Sequence, residues 1–282
     1  MENLIQYCTQ DSLYDGPFDS QVGWKAAGMG YVIKTANGKL IAIDGGNRND
    51  AEGFLSLLEE YADGGRPEID LWIITHPHSD HYYALLEMCK SEEMRSRFKV
   101  NRILYHFPTE FRAKSGVLYC TEHNRNMEEI LAATGAEAYT PQVDEKIALD
   151  GVELHFLYTP TDCSILNNPN QLSLIFTVQG TAKKVMITGD AFDRNLQIVL
   201  WRYDTALKCD ILQMPHHGLC DTGNAKFYTR VGADTILIPT SIAGYRAMHS
   251  EMYAEQALKN NAVEEAAQAV YKAFEGTAAI EI

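Results

Sequence analysis

Apolar residues recur along the chain at two periods, and the switches between them mark the elements. Tyr31-Val32-Ile33 and Leu40-Ile41-Ala42-Ile43 flank Asn37-Gly38, a dipeptide suited to a tight hairpin turn, so residues 28–46 read as a β-hairpin. Phe54, Leu57, Leu58 and Tyr61 fall at helical spacing and predict a helix over 50–62, which Gly64-Gly65 and Pro67 end. Residues 69–75 then read as a strand, 81–90 as a helix, and Arg102-Ile103-Leu104-Tyr105 as a strand. A helix over 122–134 carries Met127, Ile130 and Leu131 on one side. Strands near 147–149 and 152–158 are separated by Asp150-Gly151, and strands at 172–179 and 184–188 flank Gly180. The remainder alternates: helix 193–203, strand 210–214, helix 222–231, strand 235–239, helix 250–259 and a terminal strand near 278–282. Hairpins followed by strand–helix alternation, twice over, predict an α/β chain of two halves, each a sheet covered by helices. No internal repeat or low-complexity tract interrupts the pattern.

Composition narrows the class. A length of 282 residues with 46% hydrophobic residues suits one large domain or two small ones of ordinary globular type. No run of 18 apolar residues predicts a membrane span. The start, Met1-Glu2-Asn3-Leu4-Ile5-Gln6-Tyr7, lacks a basic segment followed by an apolar one, so a cytoplasmic location is expected. Cys8, Cys89, Cys120, Cys163, Cys209 and Cys220 are scattered without a Cys-x-x-Cys pair, which predicts reduced and mostly buried thiols. The net charge of −14 opposes binding to nucleic acid, because such affinity draws on Lys and Arg neutralising phosphates. A small anionic substrate remains compatible if bound cations make a pocket locally positive. Nothing in the sequence fixes an oligomeric state.

The densest chemistry lies in Thr75-His76-Pro77-His78-Ser79-Asp80-His81, directly after the apolar run Leu71-Trp72-Ile73-Ile74. His76 and His78 alternate so as to project from one face of an extended segment. Asp80 and His81 come where a helix begins and can face a second ion. Imidazole nitrogen and carboxylate oxygen are the donors that zinc and similar divalent metals accept. A polar helix start capped by Ser79 or Asp80 is the plainer alternative. It explains none of the three histidines.

The pattern His-x-His-x-Asp-His resembles the signature of the metallo-β-lactamase superfamily. Leu40-Ile41-Ala42-Ile43-Asp44-Gly45-Gly46 resembles that family's first motif, a strand ending in a supporting Asp. Val185-Met186-Ile187-Thr188-Gly189-Asp190 resembles the strand whose terminal Asp bridges two metals. Asp210-Ile211-Leu212-Gln213-Met214-Pro215-His216-His217-Gly218 resembles a narrower motif, found in the hydrolase domain of ComEC-type competence proteins and in phosphorylcholine esterases. Tyr245-Arg246-Ala247-Met248-His249-Ser250-Glu251 resembles the late histidine segment of the same subgroup. The matches run in family order from about residue 28 to the C-terminus. There are departures. Tyr82, Tyr83 and Ala84 stand where the family often has Gly, and the tyrosines would narrow or line the site. The His that many members place before the strand Leu172-Ser173-Leu174-Ile175-Phe176 is replaced by Leu166-Asn167-Asn168-Pro169-Asn170-Gln171, as in the ComEC-type subgroup. That leaves one metal with fewer protein ligands and more water.

The resemblance implies one αββα sandwich over residues 1–282, with two mixed sheets covered by helices and the site at one edge between them. It also implies two divalent ions, zinc with manganese or iron as alternatives, held by His76, His78, Asp80, His81, Asp190 and His217. Asp190 follows an apolar strand and Gly189, so a simple turn Asp is its plainer reading. Adjacent residues at a strand end point in different directions, so one of His216 and His217 can bind metal while the other faces substrate. Gly218 after His217 favours His217 as the ligand, on the family pattern, and leaves His216 as proton donor or phosphate contact. Asp80 and His249 join His216 as candidate catalytic residues, and His249 is also a candidate ligand or support. Asp44 suits a supporting role, since a metal-bound His usually donates its other ring nitrogen to a carboxylate or carbonyl. Asn168 and Asn170 are candidates to hold a water or substrate oxygen, although loop Asn residues commonly form turns. Cys163 and Cys220 lie near these segments. His155 reads as structural, and His106 and His123 receive no role.

The activity so implied is hydrolysis by a hydroxide held between the two ions, on a phosphoester or phosphodiester. Other ester, thioester or lactam hydrolases share the resemblance. A non-heme diiron redox protein and a non-catalytic metal-binding module are the alternatives from other classes. The first would be expected to bring a flavin domain and further His or Glu ligands.

Overall fold

The computed structural model describes residues 1–18, 27–108, 120–160, 168–220 and 222–282. The first of two seven-stranded sheets holds, in order across it, β1 (Asn3–Gln6), β2 (Gly30–Lys34), β3 (Leu40–Asp44), β4 (Glu68–Ile73), β5 (Lys99–Leu104) and β6 (Glu137–Tyr139). The second holds β7 (Lys146–Leu149), β8 (Val152–Tyr158), β9 (Ile175–Gln179), β10 (Lys184–Ile187), β11 (Ile211–Gln213), β12 (Thr235–Ile238) and β13 (Ala269–Lys272). The last strand, β14 (Ala278–Glu281), returns to the first sheet and pairs antiparallel with β1. Each sheet has antiparallel pairings on one side and parallel pairings on the other, β3 to β6 in the first and β10 to β13 in the second.

Parallel neighbours need long crossovers, and the helices supply them. α1 (Ala51–Tyr61), α2 (Ser79–Lys90) and α4 (Cys120–Thr134) connect the parallel strands of the first sheet, with the short α3 (Glu92–Ser96) after α2. α5 (Asp193–Tyr203), α6 (Ala225–Val231) and α8 (Ala254–Ala266) do so in the second, with α7 (Ile242–Met248) before α8.

Residue alternation builds the layers. Tyr31, Ile33, Ile41, Ile43, Leu71 and Ile73 face the second sheet and pack among Leu154, Phe156, Phe176, Val178, Val185 and Ile187. On the other face of the same strands, Val32, Ala42 and Trp72 pack under Phe54, Leu58 and Leu85 of α1 and α2. Both faces of these strands are buried, so their sequences are continuously apolar rather than alternating. Truncating a fully buried side chain such as Trp72 or Phe176 to Ala costs about 3–5 kcal/mol. The second sheet's outer face is covered likewise by Leu196, Val199, Leu200, Phe227 and Val263. The architecture is the expected αββα sandwich of two mixed sheets.

Some boundaries differ from expectation for local reasons. The strand read over 172–179 begins at Ile175, because Pro169–Leu172 forms a 3-10 turn capped by Asn168. The helix read over 222–231 begins at Ala225, where the Asn224 side chain accepts from Phe227 N at 3.1 Å. The helix read over 250–259 runs instead over Ala254–Ala266. β1, β6, β13, α3 and α7 were not legible from periodicity; β6 and β13 are only partly covered, so their side chains carry little alternation. Among the described residues, no helix is long and apolar enough to cross a membrane.

Candidate metal centre

Three loops at the carboxyl ends of parallel strands converge, which is where open α/β sheets present polar groups. The first follows β4. His78 N donates to His76 O at 3.0 Å, forming a tight turn, and α2 begins at Ser79 with His78 as N-cap and no side-chain cap. This turn sends His76 and His78 inward and sets Asp80 and His81 in the first turn of α2. Behind it, β3 ends at Asp44 with φ +55°, a backbone state costly for residues other than Gly. Asp44 is fully buried, and its carboxylate accepts from Thr75 N (2.8 Å), Thr75 Oγ1 (2.8 Å) and His81 Nδ1 (2.7 Å).

The second loop follows β10. Gly189 has φ +54°, and a Cβ there would lie 3.0 Å from Thr75 Cβ and 3.1 Å from Ser173 Oγ. Only Gly lets this strand end approach the histidine loop so closely. Asp190 N then donates to Ser173 Oγ at 3.0 Å. The third loop follows β11, where His216 (φ 48°, ψ 45°) and His217 (φ 57°, ψ 13°) are both left-handed. Consecutive left-handed residues other than Gly cost about 1–3 kcal/mol each and persist where surrounding structure holds them. His216 N donates to Gly189 O (3.1 Å), Leu219 N to His216 O (2.8 Å), and Asn260 Nδ2 to Gly218 O (2.9 Å).

The convergence yields two groups of donors, His76 with His78 and Asp190, and Asp80 with His81 and His217; within each group the ligand atoms lie within 4.8 Å of one another. Asp190 reaches both. Its Oδ2 is 3.5 Å from His76 Nε2, and its Oδ1 is 3.3 Å from His81 Nε2 and 3.2 Å from His217 Nε2. Asp80 Oδ2 is 3.3 Å from His217 Nε2 and 3.9 Å from His81 Nε2. Donors held at about 2.0–2.1 Å around a tetrahedral ion stand roughly 3.3 Å apart, so this spacing suits a cation between them. Buried His81 Nε2, His217 Nε2 and Asp190 Oδ1 have no hydrogen-bond partner here, as donors awaiting an ion would. The tautomers agree: His81 Nδ1 donates to Asp44 and His217 Nδ1 to Pro239 O (2.6 Å), leaving both Nε2 lone pairs free.

The electrostatics point the same way. Burial would lower the His217 pKa, but the Asp190 and Asp80 carboxylates overcome it and raise it to about 10. Burial opposes the charging of His81 too, and Asp190, Asp44 and Asp80 outweigh it, lifting the imidazole well above its ordinary value. Burial pushes His76 well down and His78 to about 4. For Asp190, burial raises the pKa, and His217, His81 and His76 carry it well below the carboxylate range instead. The buried carboxylates of Asp44 and Asp190 and the half-buried one of Asp80 thus demand positive charge, which protons supply when cations do not.

The remaining candidates fall in different places. His216 lines the cleft beside Ala27, His78, Ser79, Leu219 and the Asp80, Asp190 and His217 side chains. Its Nδ1 donates to Cys220 O (2.8 Å), its Nε2 accepts from Asn170 Nδ2 (3.0 Å), and Phe192 packs on it with centroids 5.1 Å apart. Asn170 is buried and therefore acts on His216. Asn168 instead caps its own turn, its side chain accepting from Asn170 N at 2.9 Å. His249 is not brought to the cleft: Nδ1 donates to Tyr245 O and Nε2 to Glu264 Oε1, both at 2.7 Å, because α7 and α8 draw it to the outer side of the second sheet. Tyr82 is fully buried beneath α4, its hydroxyl 2.6 Å from His123 Nδ1, and Tyr83 lies under Arg48; neither lines the cleft. Cys163 lies outside the described residues, and Cys220 Sγ is 3.5 Å from His216 Nδ1. Sequence reasoning missed Thr75, Ser173, Leu219 and the Pro239 carbonyl. Thr75 directly precedes the histidine run; the others stand in no pattern that marks them.

Residues 27–165 match the family model of the metallo-β-lactamase superfamily. No curated protein matches the chain. The metallo-β-lactamase fold protein YhfI from Bacillus subtilis is similar at 13% identity and TM-score 0.57, covering 99% of this chain and 100% of that one. CmlA, a diiron β-hydroxylase from Streptomyces venezuelae, has 10% identity and TM-score 0.57 over 99% of this chain and 54% of its own. A diphosphatase of the PhnP family has 14% identity and TM-score 0.52 over 100% of this chain and 98% of its own. The chain has the metallo-β-lactamase fold, and the family-model match supports placing it in that superfamily.

Proposed function

We propose that the protein is a metal-dependent hydrolase acting on a small phosphoester, in the first instance a phosphodiester. His76, His78 and Asp190 would hold one divalent cation, and Asp80, His81, His217 and Asp190 a second. The observation that carries this reading is the divided carboxylate of Asp190, with one oxygen facing His76 and the other facing two unpartnered imidazole nitrogens. Imidazole and carboxylate donors suit zinc, manganese and iron alike. When bound, such a cation pair supplies a water acidified toward neutrality and positive charge for a developing oxyanion.

The chain's own residues do the rest. Asp44 and the Pro239 carbonyl fix the rings of His81 and His217, so ligand geometry is set before any cation arrives. Asp80 sits in the first turn of α2, where its oxygen faces both His81 and His217. His216 is the cleft imidazole whose Nε2 faces an amide rather than the carboxylates. We assign it contact with the substrate and the carriage of a proton: in the neutral ring Nε2 accepts from Asn170, and once that hydrogen bond is exchanged Nε2 would take a proton from the attacking water and pass it to the leaving group. Ala27 and Leu219 give the cleft an apolar wall beside the polar one.

Three observations support a phosphoester. The Pro215-His216-His217-Gly218 turn resembles that of the ComEC-type and phosphorylcholine esterase subgroup. One relative of the same fold is a diphosphatase. The net charge of −14 disfavours a polyanion while a cation pair would still attract a small anion. The test is turnover by metal-reconstituted protein of bis(p-nitrophenyl) phosphate, p-nitrophenyl phosphate, p-nitrophenyl acetate, a thioester and a lactam. Phosphodiester turnover that Asp190→Asn abolishes supports the reading. Turnover of acyl substrates alone overturns the substrate class, and oxygen consumption with iron would favour redox chemistry.

A further inference from the structure

α6 and α8 lie on the outer face of the second sheet and leave between them a trough of about 340 Å³. That is within the range of roughly 300–1,000 Å³ typical of ligand sites. Its floor is Leu212 of β11 and Ile236 of β12. α8 presents Lys259, Ala262, Val263 and Ala266, spaced to share one helix face. Facing them, α6 and its end present Ala225, Thr229 and Gly232. The alanines and the glycine leave open a space that larger aliphatic side chains would close. The sheet's outer core is therefore thinly covered here.

The trough has distinct ends. Lys259 is two helical turns from Ala266, about 10 Å along the axis at 1.5 Å per residue. Asp234 stands at the Ala266 end, because its carbonyl accepts from Gln268 N (2.8 Å) and Ala269 N (3.1 Å), just beyond α8. Asp234 is exposed to water, whereas Lys259 is half-buried. Among the described residues, no acidic side chain forms an ion pair with Lys259. In a chain of net charge −14, a half-buried lysine beside an apolar floor, with no ion pair to an acidic side chain among the described residues, is complementary to an anion.

We propose that this trough is a second binding site, for a small apolar molecule with one terminal carboxylate. Its chain lies along Leu212, Ile236 and Val263, and its carboxylate meets Lys259. The site is separate from the metal cleft and does not rest on the hydrolase reading. Octanoate is a suitable probe, with octylammonium and octanol as controls of matched length. Calorimetry on the full chain should show one equivalent of octanoate binding at least tenfold more tightly than either control. Lys259→Gln should weaken octanoate about tenfold and leave octanol unchanged, and Ala262→Trp, which fills the trough, should abolish binding. Asn260 is left intact because it holds Gly218. No saturable binding, equal affinity for octanoate and octylammonium, or binding unaffected by Lys259→Gln would overturn the proposal. If Ala262→Trp does not fold, Ala262→Leu together with Lys259→Gln decides.

Discussion

His81 Nδ1 donates to Asp44 Oδ2 over 2.7 Å, and this turns His81 Nε2 toward Asp190 Oδ1 at 3.3 Å. A carboxylate buried behind an imidazole fixes its tautomer and raises its basicity as a ligand. Replacing Asp44 by Asn removes the charge and lets the amide compete for either hydrogen-bonding role. Asp44→Asn is predicted to weaken metal affinity about 10- to 100-fold while both sheets persist. Competition with a chromogenic chelator measures it; affinity within twofold of the parent protein would contradict the relay.

His216 and His217 are neighbours with different surroundings. His217 Nε2 faces Asp80 and Asp190, whereas His216 Nε2 accepts from Asn170. His217→Ala is predicted to lower metal content. His216→Ala is predicted to keep the metal and lower kcat about 100-fold, most with poor leaving groups, which alone need a proton in the transition state. Metal content measured beside a leaving-group series separates the two. Loss of metal from His216→Ala but not from His217→Ala would reverse the assignment.

Gly189 is the close approach between the Asp190 strand end and the histidine loop. Gly189→Ala combines a left-handed backbone at φ +54° with a Cβ 3.0 Å from Thr75 Cβ. A stability loss of about 1–2 kcal/mol from the backbone alone is expected, with more from the contact. Displacement of Thr75 also disturbs Asp44, so metal content should fall as well. Urea denaturation with and without metal tests this, and an unchanged midpoint would contradict the packing argument.

His249 and Glu264 form a half-buried pair linking α7 to α8. Burial opposes charge on both. The Glu264 hydrogen bond nevertheless raises His249 above its ordinary 6.5, and His249 lowers Glu264 below its ordinary 4.5. The raised His contributes fully below about 6.5 and loses its contribution as pH rises through its folded value. The lowered Glu contributes above about 4.5 and loses its contribution as pH falls through its folded value. The stability difference between the parent protein and His249→Gln should therefore peak between these limits and shrink as pH rises through the folded His249 value. A difference independent of pH would contradict the ion pair.

The strands that form the site were legible because both their faces are buried, which makes them continuous apolar runs such as Leu40–Ile43 and Leu71–Ile74. The dense motif from His76 to His81 identified itself by composition. What sequence could not give was direction. His249 follows the family order, yet Tyr245 and Glu264 hold it away from the cleft, and only the packing of α7 on α8 reveals that. The left-handed turn at His216-His217 was equally hidden, since periodicity carries no sign of φ. Asn168 and Asn170 look alike in sequence, but one caps a turn and the other orients a histidine. β13 escaped because its four residues are all half-covered and show no alternation.

The central claim is that Asp190 is shared between two cations. Elemental analysis of protein purified without chelator and then reconstituted tests it most directly, beside Asp190→Asn, which keeps the size of the side chain and removes its charge. The parent protein should approach two equivalents of divalent metal per chain, and Asp190→Asn should lose at least one while its circular dichroism is unchanged. A parent protein that takes up no metal, or an Asp190→Asn variant with undiminished metal content, would contradict the account.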